Sequence, residues 1–553
     1  MLPLLRVAAQ LVLEAVAVRL FEAVLSAEEN QTSNPPKRPS AHTRRCQDAL
    51  CIEVATRNYR PAVLGRFAWS KCAETGDFSR NSVLARRTRF FFLRWVDFIS
   101  ESDKRWWAAK TQNAHAGKPL EAHLATTQYI VEGGHKLHGT VRPAGNKNAA
   151  LPIVAAALLS PGKVTLHNVP RIRDVETLVD LIRSVGAETT WDEHDPHTLH
   201  LCAKTVQAAS LDPELCKKIR ASILLAAPLL ARCGEVHLPP PGGDVIGRRR
   251  VDTHFLALGE LGASCRLDEQ FHLTTTGLRG ADVFLDEPSV TGTENAITAA
   301  VAAQGITVLR NAACEPHVQD LCHFLVGLGA EMEGIGSNQL TIHGGKPLHG
   351  GEFSIGPDHI EVGSFIGLAA VTRSELRIAQ AGVRHLRMIL FGFERLGISC
   401  RIEGEDLIVP ADQSMRIRTD LGGHIPKLED QPWPAFPADL LSIALVTATQ
   451  CEGVILMFEK MFESRLFFVD KLVAMGARII LCDPHRALVY GPSVLRAGTV
   501  ESPDIRAGMA MLIAALCAQG RSTILNVGQI ERGYERIVAR LRALGAHISE
   551  VKK

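Results

Sequence analysis

The chain has 553 residues, 46% of them hydrophobic and 22% charged, and its formal net charge is +2. These values are typical of a globular protein with a hydrophobic core, and the length predicts two to four domains. The 13 cysteines are scattered without CxxC pairs or histidine partners. This disfavours a disulfide framework and a zinc site, and it favours a reducing cytoplasm.

Residues 1–125 differ in kind from the rest of the chain. Their charge balance is +7, against −5 for the remaining 428 residues, and they hold four of the six tryptophans. The opening stretch can form an amphipathic helix, but Arg6, Glu14 and Arg19 interrupt it too often for a membrane span. It also lacks the pattern of a secretory signal. We expect a poorly ordered extension; the alternative is an appendage that binds a membrane or a partner.

From about residue 128 onward the chain repeats one pattern six times. A helix-like run ends in a short hydrophobic-glycine signature in "SVGAET", "ELGASC", "GLGAEM", "RLGISC", "AMGARI" and "ALGAHI". The six glycines, spaced 67 to 79 residues apart, are Gly186, Gly262, Gly329, Gly397, Gly476 and Gly545. A glycine that closes a helix before a β-rich run is a typical stop signal.

Each repeat also contains an earlier helix that is apolar on every side. The six stretches are "NKNAALPIVAAALL", "IRASILLAAPLLA", "TENAITAAVAA", "IEVGSFIGLAAV", "ADLLSIALVTAT" and "DIRAGMAMLIAALCA". A helix without a polar face is buried, whereas closing helices such as "RGYERIVARLRAL" have one apolar stripe and belong outside. Stretches such as "KVTLHNV" predict strands between the helices. The six α/β units predict two globular domains of three units each.

Polar and charged residues cluster at the N-termini of these predicted inner helices. They include Lys147, Asn148, Arg220, Ser289, Glu361, Asp439 and Arg506. A helix N-terminus attracts anions, so a cation there opposes the helix dipole and serves no capping purpose. Lys147, Arg220 and Arg506 are explained if anionic groups of a ligand lie between them. The alternative is that each of these side chains extends to water.

Residues 127–553 resemble the enolpyruvyl transferase family through motifs that are specific in combination: "GNKNAALPI", "GGDVIGRRRVDTH", "WPAFPADL", "MFESRL" and "ERGYERIVARLRALGA". The resemblance implies that family's inside-out α/β barrel, in which the first and last segments share a domain. It implies a first domain of residues 126–146 plus 357–553, and a second domain of residues 147–356 that carries a lid loop.

The resemblance also implies a reaction. The enolpyruvyl group of phosphoenolpyruvate (PEP) is transferred to the 3-hydroxyl of UDP-N-acetylglucosamine for peptidoglycan synthesis, and phosphate is released. No cofactor and no metal ion is implied. The expected partners are these small-molecule substrates, without nucleic acid or membrane, and the expected compartment is the cytoplasm. The sequence leaves the oligomeric state open.

Residue roles follow from the matched motif positions. The basic groups expected to hold the anionic parts of PEP are Lys147, Arg220, Arg249, Arg465, Arg506 and Arg532. The groups expected in the acceptor region are Asn148, Asp252, His254, Ser289 and Val290. Asp439 matches the base that takes the acceptor's proton, and Glu361 matches a carboxylate of the same cleft. For both of these the alternative role is a helix cap.

The glycine-rich residues 242–250 match the family's lid loop. The commoner members have a cysteine at the position of Asp244, and members with Asp resemble the subset that is insensitive to epoxide inhibitors. A carboxylate near arginines can perform acid–base chemistry in a closed, dry site. Asp244 is therefore expected to join Asp439 and Lys147 as a catalytic group. The alternative is a charged surface loop without a catalytic role.

Departures from the family pattern concern the acceptor more than the chemistry. Arg250 replaces a proline beside the uridine, and Pro288 replaces a lysine that contacts the diphosphate in some members. Two alternatives therefore stay open: a transferase for another nucleotide or hydroxyl acceptor, and a non-catalytic, ligand-sensing relative. The intact Lys147, Asp439 and Arg532 argue against the second.

Overall fold

A computed structural model describes residues 127–552, apart from residues 208–210, 245 and 248. The expectation of a poorly ordered extension at residues 1–125 lies outside the described residues. Among the described residues, no helix combines the length and the apolar character that crossing a membrane requires.

The described helices follow the predicted order of inner and outer elements. The α-helices are α1 (Lys147–Ala156), α2 (Arg173–Ser184), α3 (Pro213–Lys218), α4 (Ala226–Cys233), α5 (Asp252–Glu260), α6 (Val290–Ala302), α7 (Pro316–Gly327), α8 (His359–Val371), α9 (Arg387–Arg395), α10 (Ala438–Ala448), α11 (Val469–Ala474), α12 (Ile505–Cys517) and α13 (Ile537–Ala543). Short 3-10 helices lie at Ala157–Leu159, Arg220–Leu225, Val383–His385, Leu421–Gly423, Arg465–Phe468 and Val527–Arg532.

The described strands are short, and each contains three to six residues. They are β1 (Thr127–Glu132), β2 (His138–Val141), β3 (Lys163–His167), β4 (Glu188–Trp191), β5 (Leu199–Cys202), β6 (Glu235–Leu238), β7 (Ser264–Leu267), β8 (Phe271–Thr274), β9 (Asp282–Phe284), β10 (Gly305–Arg310), β11 (Glu331–Glu333), β12 (Gln339–Gly344), β13 (Gly351–Ser354), β14 (Glu375–Ile378), β15 (Arg401–Glu403), β16 (Asp406–Val409), β17 (Lys427–Glu429), β18 (Gly453–Phe458), β19 (Arg478–Asp483), β20 (Arg486–Gly491), β21 (Thr499–Glu501), β22 (Arg521–Leu525) and β23 (His547–Lys552).

Five of the six predicted inner helices are regular α-helices, namely α1, α6, α8, α10 and α12. Their burial matches the prediction from their apolar sequences, since all 13 residues of α8 are buried. The second inner helix differs, because residues 220–225 form a 3-10 helix and α4 begins only at Ala226. Pro228 lies in the first turn of α4, where proline is tolerated, although α1 accommodates Pro152 in its interior.

The outer helices α2, α5, α7, α9, α11 and α13 each end two residues before a predicted stop glycine. All six glycines have a left-handed backbone, with φ from +75° at Gly397 to +109° at Gly329. A side chain with a Cβ atom rarely adopts this conformation, so glycine is the residue of choice. The predicted stop signals are confirmed.

The described strands form six small sheets, and the repeat holds at the level of their topology. The strand orders are β21-β22-β1-β23, β15-β16-β14-β2, β17-β18-β20-β19, β13-β3-β5-β4, β11-β12-β10-β9 and β6-β8-β7. In each four-stranded sheet an inner strand pairs antiparallel on one side and parallel on the other. For example, β10 is antiparallel to β12 and parallel to β9.

The buried apolar residues form two separate clusters. One contains Tyr129 to Val141 together with Ile360 to Ile548, and the other contains Ala149 to Ile355. We call the parts around them the first and the second lobe. The division into domains near residues 146 and 357 stays a prediction, and these two clusters support it. Charged side chains of both lobes meet where the inner helices begin.

Candidate active site

Asp439 lies in the first turn of α10 and does not cap this helix. The helix begins after Pro437, and its N-terminus has no side-chain cap. Instead, Oδ1 of Asp439 accepts a hydrogen bond from Nη2 of Arg465 at 3.0 Å, and Oδ2 accepts one from Nε of Arg506 at 3.0 Å. Both arginines are almost fully buried, whereas 27% of the Asp439 side chain is exposed. The carboxylate is therefore oriented by the protein and is open to a ligand.

The charge of Asp439 is set by these neighbours. Burial alone would raise the pKa of its carboxyl, but Arg506 and Arg465 outweigh that effect and hold the pKa well below the ordinary value. Asp439 is therefore ionised at neutral pH. In this state it can accept a hydrogen bond from a hydroxyl group and can receive its proton.

Two further nitrogens of these arginines are buried among other protein groups. Among the described residues, Nη1 of Arg506 and Nε of Arg465 have no hydrogen-bond acceptor. Nε of Arg465 lies 3.8 Å from an oxygen of Glu459, which is too far for a hydrogen bond. The two arginines share the one carboxylate of Asp439, and their positive charge favours an anionic group beside it.

A second cluster of charges is built around Asp174, in the first turn of α2. Its Oδ2 is 2.9 Å from Nζ of Lys147, and its Oδ1 is 2.8 Å from Nε of Arg532. Burial would raise the pKa of Asp174, but Lys147 and Arg532 lower it below the ordinary value. Lys147 begins an inner helix of the second lobe and Arg532 belongs to the first lobe. Asp174 thus holds two predicted phosphate ligands together across the lobes.

The lid loop reaches across from the second lobe to the first. Asp244 Oδ1 accepts a hydrogen bond from Nη1 of Arg532 at 2.5 Å. The Ile246 carbonyl accepts a hydrogen bond from the Ser464 backbone N–H at 3.1 Å, and Ile246 itself is buried. Asp244 is thereby placed against the predicted phosphate ligands. The expectation of an exposed, charged loop without partners does not describe this arrangement.

One arginine of the second lobe outside the lid, Arg220, holds the lid backbone. Nη2 of Arg220 donates hydrogen bonds to the carbonyls of Arg249 and Arg250, at 2.7 and 3.0 Å. Burial, assisted by Arg249, lowers the pKa of Arg220 to about 10. Burial also lowers the pKa of Arg249, and Asp244 partly offsets that effect. Arg220 therefore contacts the lid backbone rather than a free anion position, whereas Arg249 lies within the charge cluster.

Gly243 shows how closely the lid packs. Its φ is +103°, and a Cβ atom there would stand 3.0 Å from Cβ of Arg220. A residue other than glycine would be strained by its backbone and would push against the arginine. The glycines that precede Asp244 are thus required by the path of the loop.

The predicted acceptor residues lie around the N-termini of α5 and α6. Ser289 caps α6 through a 3.3 Å hydrogen bond from the Gly292 N–H, and Val290 is the first residue of that helix. Asp252 begins α5 and accepts a hydrogen bond from Arg250 Nε at 3.1 Å. Arg250 also bonds Asp286 at 2.9 Å. The arginine that replaces the family's proline is thus held by two carboxylates at the protein surface.

His254 and Asn148 differ in their access to a ligand. His254 is fully buried, and its ring nitrogens contact Thr291 Oγ1 at 3.0 Å and Asn295 Nδ2 at 2.7 Å. Burial lowers its pKa to about 3, so the ring is neutral and acts within the core of the second lobe. Asn148 is partly exposed and follows Lys147 in the first turn of α1. Of the two, only Asn148 is placed to contact a substrate directly.

Glu361 is held by the first lobe itself. Its Oε2 accepts a hydrogen bond from the Ala144 N–H at 2.6 Å, and its Oε1 pairs with Arg540. Its side chain is 2% exposed, and burial raises its pKa. The N-cap of α8 is Asp358. Neither the cleft role nor the capping role predicted for Glu361 matches these contacts.

Several residues of the site were missed by the sequence reasoning. Asp174 was hidden because an acidic residue in the first turn of an outer helix is usual for helix stability. Tyr534 lies in the quoted "RGYER" motif, and its ring stands 5.4 Å from the Arg506 guanidinium. Its hydroxyl is 2.9 Å from Ser364 Oγ. The motif was the one signal that pointed to it.

Comparisons with known proteins agree with this geometry. The sequence profile of the family described as EPSP synthase (3-phosphoshikimate 1-carboxyvinyltransferase) matches residues 131–541. A UDP-N-acetylglucosamine 1-carboxyvinyltransferase of Bradyrhizobium diazoefficiens is 70% identical over 428 residues, which cover 77% of this chain and 99% of that protein. One of Treponema denticola is 54% identical over 426 residues, covering 77% of this chain and 100% of that protein.

The fold is likewise that of solved relatives. The crystal structure of the enolpyruvyl transferase NikO from Streptomyces tendae matches with a TM-score of 0.69 at 25% identity. The match covers 78% of this chain and 100% of that one. The six-unit architecture is the inside-out α/β barrel that the motifs implied. With its profile match, its relatives and its fold in agreement, the chain belongs to the enolpyruvyl transferase family.

Proposed function

We propose that this enzyme transfers the enolpyruvyl group of PEP to the 3-hydroxyl of UDP-N-acetylglucosamine, releasing phosphate, in peptidoglycan precursor synthesis. Support for the acceptor comes from relatives of that name at 70% and 54% identity. Support for the chemistry comes above all from Asp439, an ionised and accessible carboxylate between two buried arginines.

The hydroxyl of the acceptor needs a base. Asp439 accepts its hydrogen bond and takes its proton as the hydroxyl oxygen attacks C2 of PEP. Because Arg465 and Arg506 depress the basicity of Asp439, an anion bound against them strengthens it by offsetting part of their charge. Binding of PEP therefore raises the basicity of Asp439 before the hydroxyl is deprotonated.

The anion is held by cations from both lobes. Lys147, Arg249 and Arg532 are assigned to the phosphate, and Arg465 and Arg506 to the remaining negative charge of PEP. Planar guanidinium groups suit bidentate contacts with carboxylate and phosphate oxygens. Asp174 keeps Lys147 and Arg532 at one point, so the phosphate meets a preformed pair of charges.

The lid carrying Asp244 supplies the second proton transfer. As the oxygen–C2 bond forms, C3 of PEP gains a proton and the double bond becomes single. In the second step, C3 gives up a proton and the double bond between C2 and C3 forms again. The C2–O bond to phosphate breaks, and phosphate leaves with the electron pair of that bond. We assign the proton at C3 to Asp244, because its bond to Arg532 holds it beside the phosphate ligands. Asp244 enters the step protonated, gives its proton to C3 and takes one back from C3 as the C2–O bond breaks. The proton that Asp439 took from the hydroxyl passes to the departing phosphate.

The acceptor is assigned to the second lobe and the cleft in front of it. Asn148 would meet the sugar, and the first turns of α5 and α6 would hold the nucleotide part through Asp252 and through backbone N–H groups near Ser289 and Val290. A helix N-terminus favours phosphate, which supports this placement. We further propose that the enzyme works in the cytoplasm, since the described cysteines are free thiols.

Phosphate release from PEP tests the proposal. We expect rapid release with UDP-N-acetylglucosamine and at least 10²-fold lower kcat/KM with UDP-glucose, which lacks the acetamido group. Mass spectrometry should show the acceptor gaining one carboxyvinyl group. A higher kcat/KM with another nucleotide would identify a different acceptor. Tight binding of PEP without turnover on any acceptor would indicate a ligand-sensing protein instead.

A further inference from the structure

A group of three side chains with the chemistry of metal ligands lies away from the active site, on the sheet of β1 and β23. Glu132 ends β1, His135 follows it after two glycines, and His547 begins β23. The register of the antiparallel pair places Glu132 directly opposite His547. The sequence gives no sign of this group, because His547 comes from the far end of the chain.

The three side chains are already close together. Their ligand atoms all lie within 4.8 Å of one another. Nε2 of His135 is 4.0 Å from Oε1 of Glu132, and Nδ1 of His547 is 3.9 Å from Oε2 of the same carboxylate. The two imidazole rings lie 4.0 Å apart between centroids, at an interplanar angle of 30°. Both rings thus direct a nitrogen towards one carboxylate.

The backbone beneath the group is tightly held. The Gly133 N–H bonds the Gly520 carbonyl at 3.1 Å, and the Gly134 N–H bonds the Leu516 carbonyl at 2.9 Å. A Cβ atom at Gly133 would stand 2.2 Å from the Ala518 carbonyl oxygen, so only glycine fits. The turn that carries His135 is therefore fixed against the end of α12, and the ligands need only side-chain rotation to converge.

We propose that Glu132, His135 and His547 form a site for one divalent transition-metal ion, of which Zn²⁺ is the representative. Two imidazoles and a carboxylate suit zinc, copper and nickel, whereas magnesium and calcium prefer oxygen ligands. Tetrahedral zinc with Zn–N and Zn–O distances near 2.0–2.1 Å sets its ligands about 3.3 Å apart. The present separations require each ligand atom to move by about 1 Å, within reach of partly exposed side chains.

The surroundings set the expected strength and consequence of binding. Arg521 on β22 stands opposite Glu132 on the other side of β1, and its charge opposes a cation, so affinity should be moderate. Three protein ligands leave the fourth position to water or to a second molecule. A bound ion joins the turn after β1 to the last strand, and because it binds only the folded chain, it raises the unfolding temperature.

The test uses the full chain, Zn²⁺ and Cu²⁺ as probes, and His138→Ala as the matched control. His138 is an exposed histidine at the start of β2, close to Gly545 and outside the group. We expect His135→Ala and His547→Ala each to weaken the first Zn²⁺ equivalent at least tenfold in calorimetry, and His138→Ala to bind like the parent. The electron paramagnetic resonance of bound Cu²⁺ should report two imidazole nitrogens in the parent and one in either variant.

Unchanged phosphate release would verify that each variant is folded. The proposal is overturned if the double variant His135→Ala, His547→Ala binds the first equivalent as tightly as the parent. It is also overturned if Cu²⁺ shows the same nitrogen couplings in both proteins. Since none of the three residues belongs to the catalytic cleft, these outcomes are independent of the proposed enzymatic function.

Discussion

Glu361 and Asp439 sit in the first turns of two inner helices, α8 and α10, yet their environments are opposite. Glu361 is 2% exposed, and its partners are the Ala144 N–H and Arg540 of its own lobe. Asp439 is 27% exposed, and its partners are two buried arginines. Burial raises the pKa of Glu361, whereas the arginines lower that of Asp439.

The difference shows that position in the repeat does not decide the role of a charged residue. The partners decide it. A buried carboxylate whose oxygens are both bonded to groups of its own lobe stabilises that lobe. A partly exposed carboxylate beside buried cations can meet a substrate. Lys147 and Arg532 likewise differ from His254, whose ring is enclosed in the core of the second lobe. Variants of the first kind of residue should lose activity, and variants of the second kind should lose stability.

The largest effect is expected at Asp439. The Asp439→Asn variant should lose 10²- to 10⁴-fold in kcat, because an amide cannot take the acceptor's proton. Its unfolding temperature should also fall, because Arg465 and Arg506 are buried and lose their shared charged partner, so kcat is measured at a temperature at which the variant stays folded. Phosphate release and thermal unfolding measure the two quantities. A kcat within tenfold of the parent would contradict the assignment of Asp439 as the base.

The second-largest loss of activity is expected when a cation is removed from the cluster around Asp174. We expect Arg532→Ala to lower kcat/KM for PEP by about 10²-fold, since the phosphate loses a charge-assisted partner and Asp174 and Asp244 lose theirs. The control is Arg401→Ala, on an exposed strand where Arg401 bonds Glu403. Steady-state kinetics with varied PEP makes the comparison. Equal effects at the two arginines would remove the support for the phosphate site.

The lid shows whether a charged residue in a loop, Asp244, also takes its role from its partner in the other lobe, Arg532. Asp244→Asn should lower kcat by about 10²-fold, because the amide keeps the contact with Arg532 but cannot exchange the proton. An epoxide such as fosfomycin should leave the parent unmodified, since a carboxylate is a weak nucleophile towards it. Asp244→Cys should become alkylated, because a thiolate is a strong one.

Intact mass after incubation with the epoxide, PEP and acceptor measures the modification, alongside phosphate release. A parent protein that gains one inhibitor mass, or an Asp244→Asn variant with normal turnover, would reduce the lid to a charged loop. Asp212→Asn, in the cap of α3, controls for loss of a carboxylate elsewhere in the second lobe.

The effect of Glu361→Gln should fall on stability instead of catalysis. The amide leaves Arg540 without a charged partner, which should lower the free energy of unfolding by about 1–3 kcal/mol. We expect kcat to change less than threefold, in contrast to Asp439→Asn. Chemical unfolding and kinetics on the same samples make the comparison. A large loss of kcat without loss of stability would restore the cleft role for Glu361.

The last effect leaves catalysis unchanged and concerns the pH dependence of stability through His254. Its folded-state pKa of about 3 lies below the ordinary value, so between roughly pH 6.5 and 3 the unfolded chain binds a proton that the folded chain refuses. Stability should therefore fall as the pH is lowered through this window, by at most about 1.4 kcal/mol per pH unit from this group.

A His254→Gln variant removes the proton-binding group and keeps a polar partner for Thr291. Its unfolding free energy should decline less steeply between pH 7 and pH 5 than that of the parent. Parallel slopes for the two proteins would show that His254 does not contribute to acid sensitivity.

The inner helices, the outer helices and their stop glycines could be predicted because each depends on residues a few positions apart. Apolar side chains on all faces mark a helix for burial, and a glycine two residues after a helix marks its end. The exception is instructive. Pro228 and Pro152 both sit in predicted inner helices, yet α4 begins only at Ala226 whereas α1 continues through Pro152, so the surrounding packing decides which helix is interrupted.

The family's motifs point to basic residues that the structure groups together, but the contacts of those residues come from segments far apart in the chain. Asp174 bonds Lys147 and Arg220 bonds the lid backbone through packing within the second lobe, and the meeting of the two lobes brings Arg532 to Asp174, each contact lying within 3 Å. No spacing in the sequence encodes these pairs. The sequence predicted which positions are basic, but it did not predict which carboxylates or carbonyls they bond.

The sequence by itself thus determined the repeated α/β unit, the buried character of its helices and the membership of the family, since these follow from local patterns of apolar residues, glycines and motifs. The tertiary structure alone decided that Asp439 is partly exposed between two buried arginines while Glu361 is enclosed, and that His547 meets Glu132 and His135. Burial and hydrogen-bond partners depend on which segments pack against each other in the folded molecule. The sequence of a single segment does not contain this information.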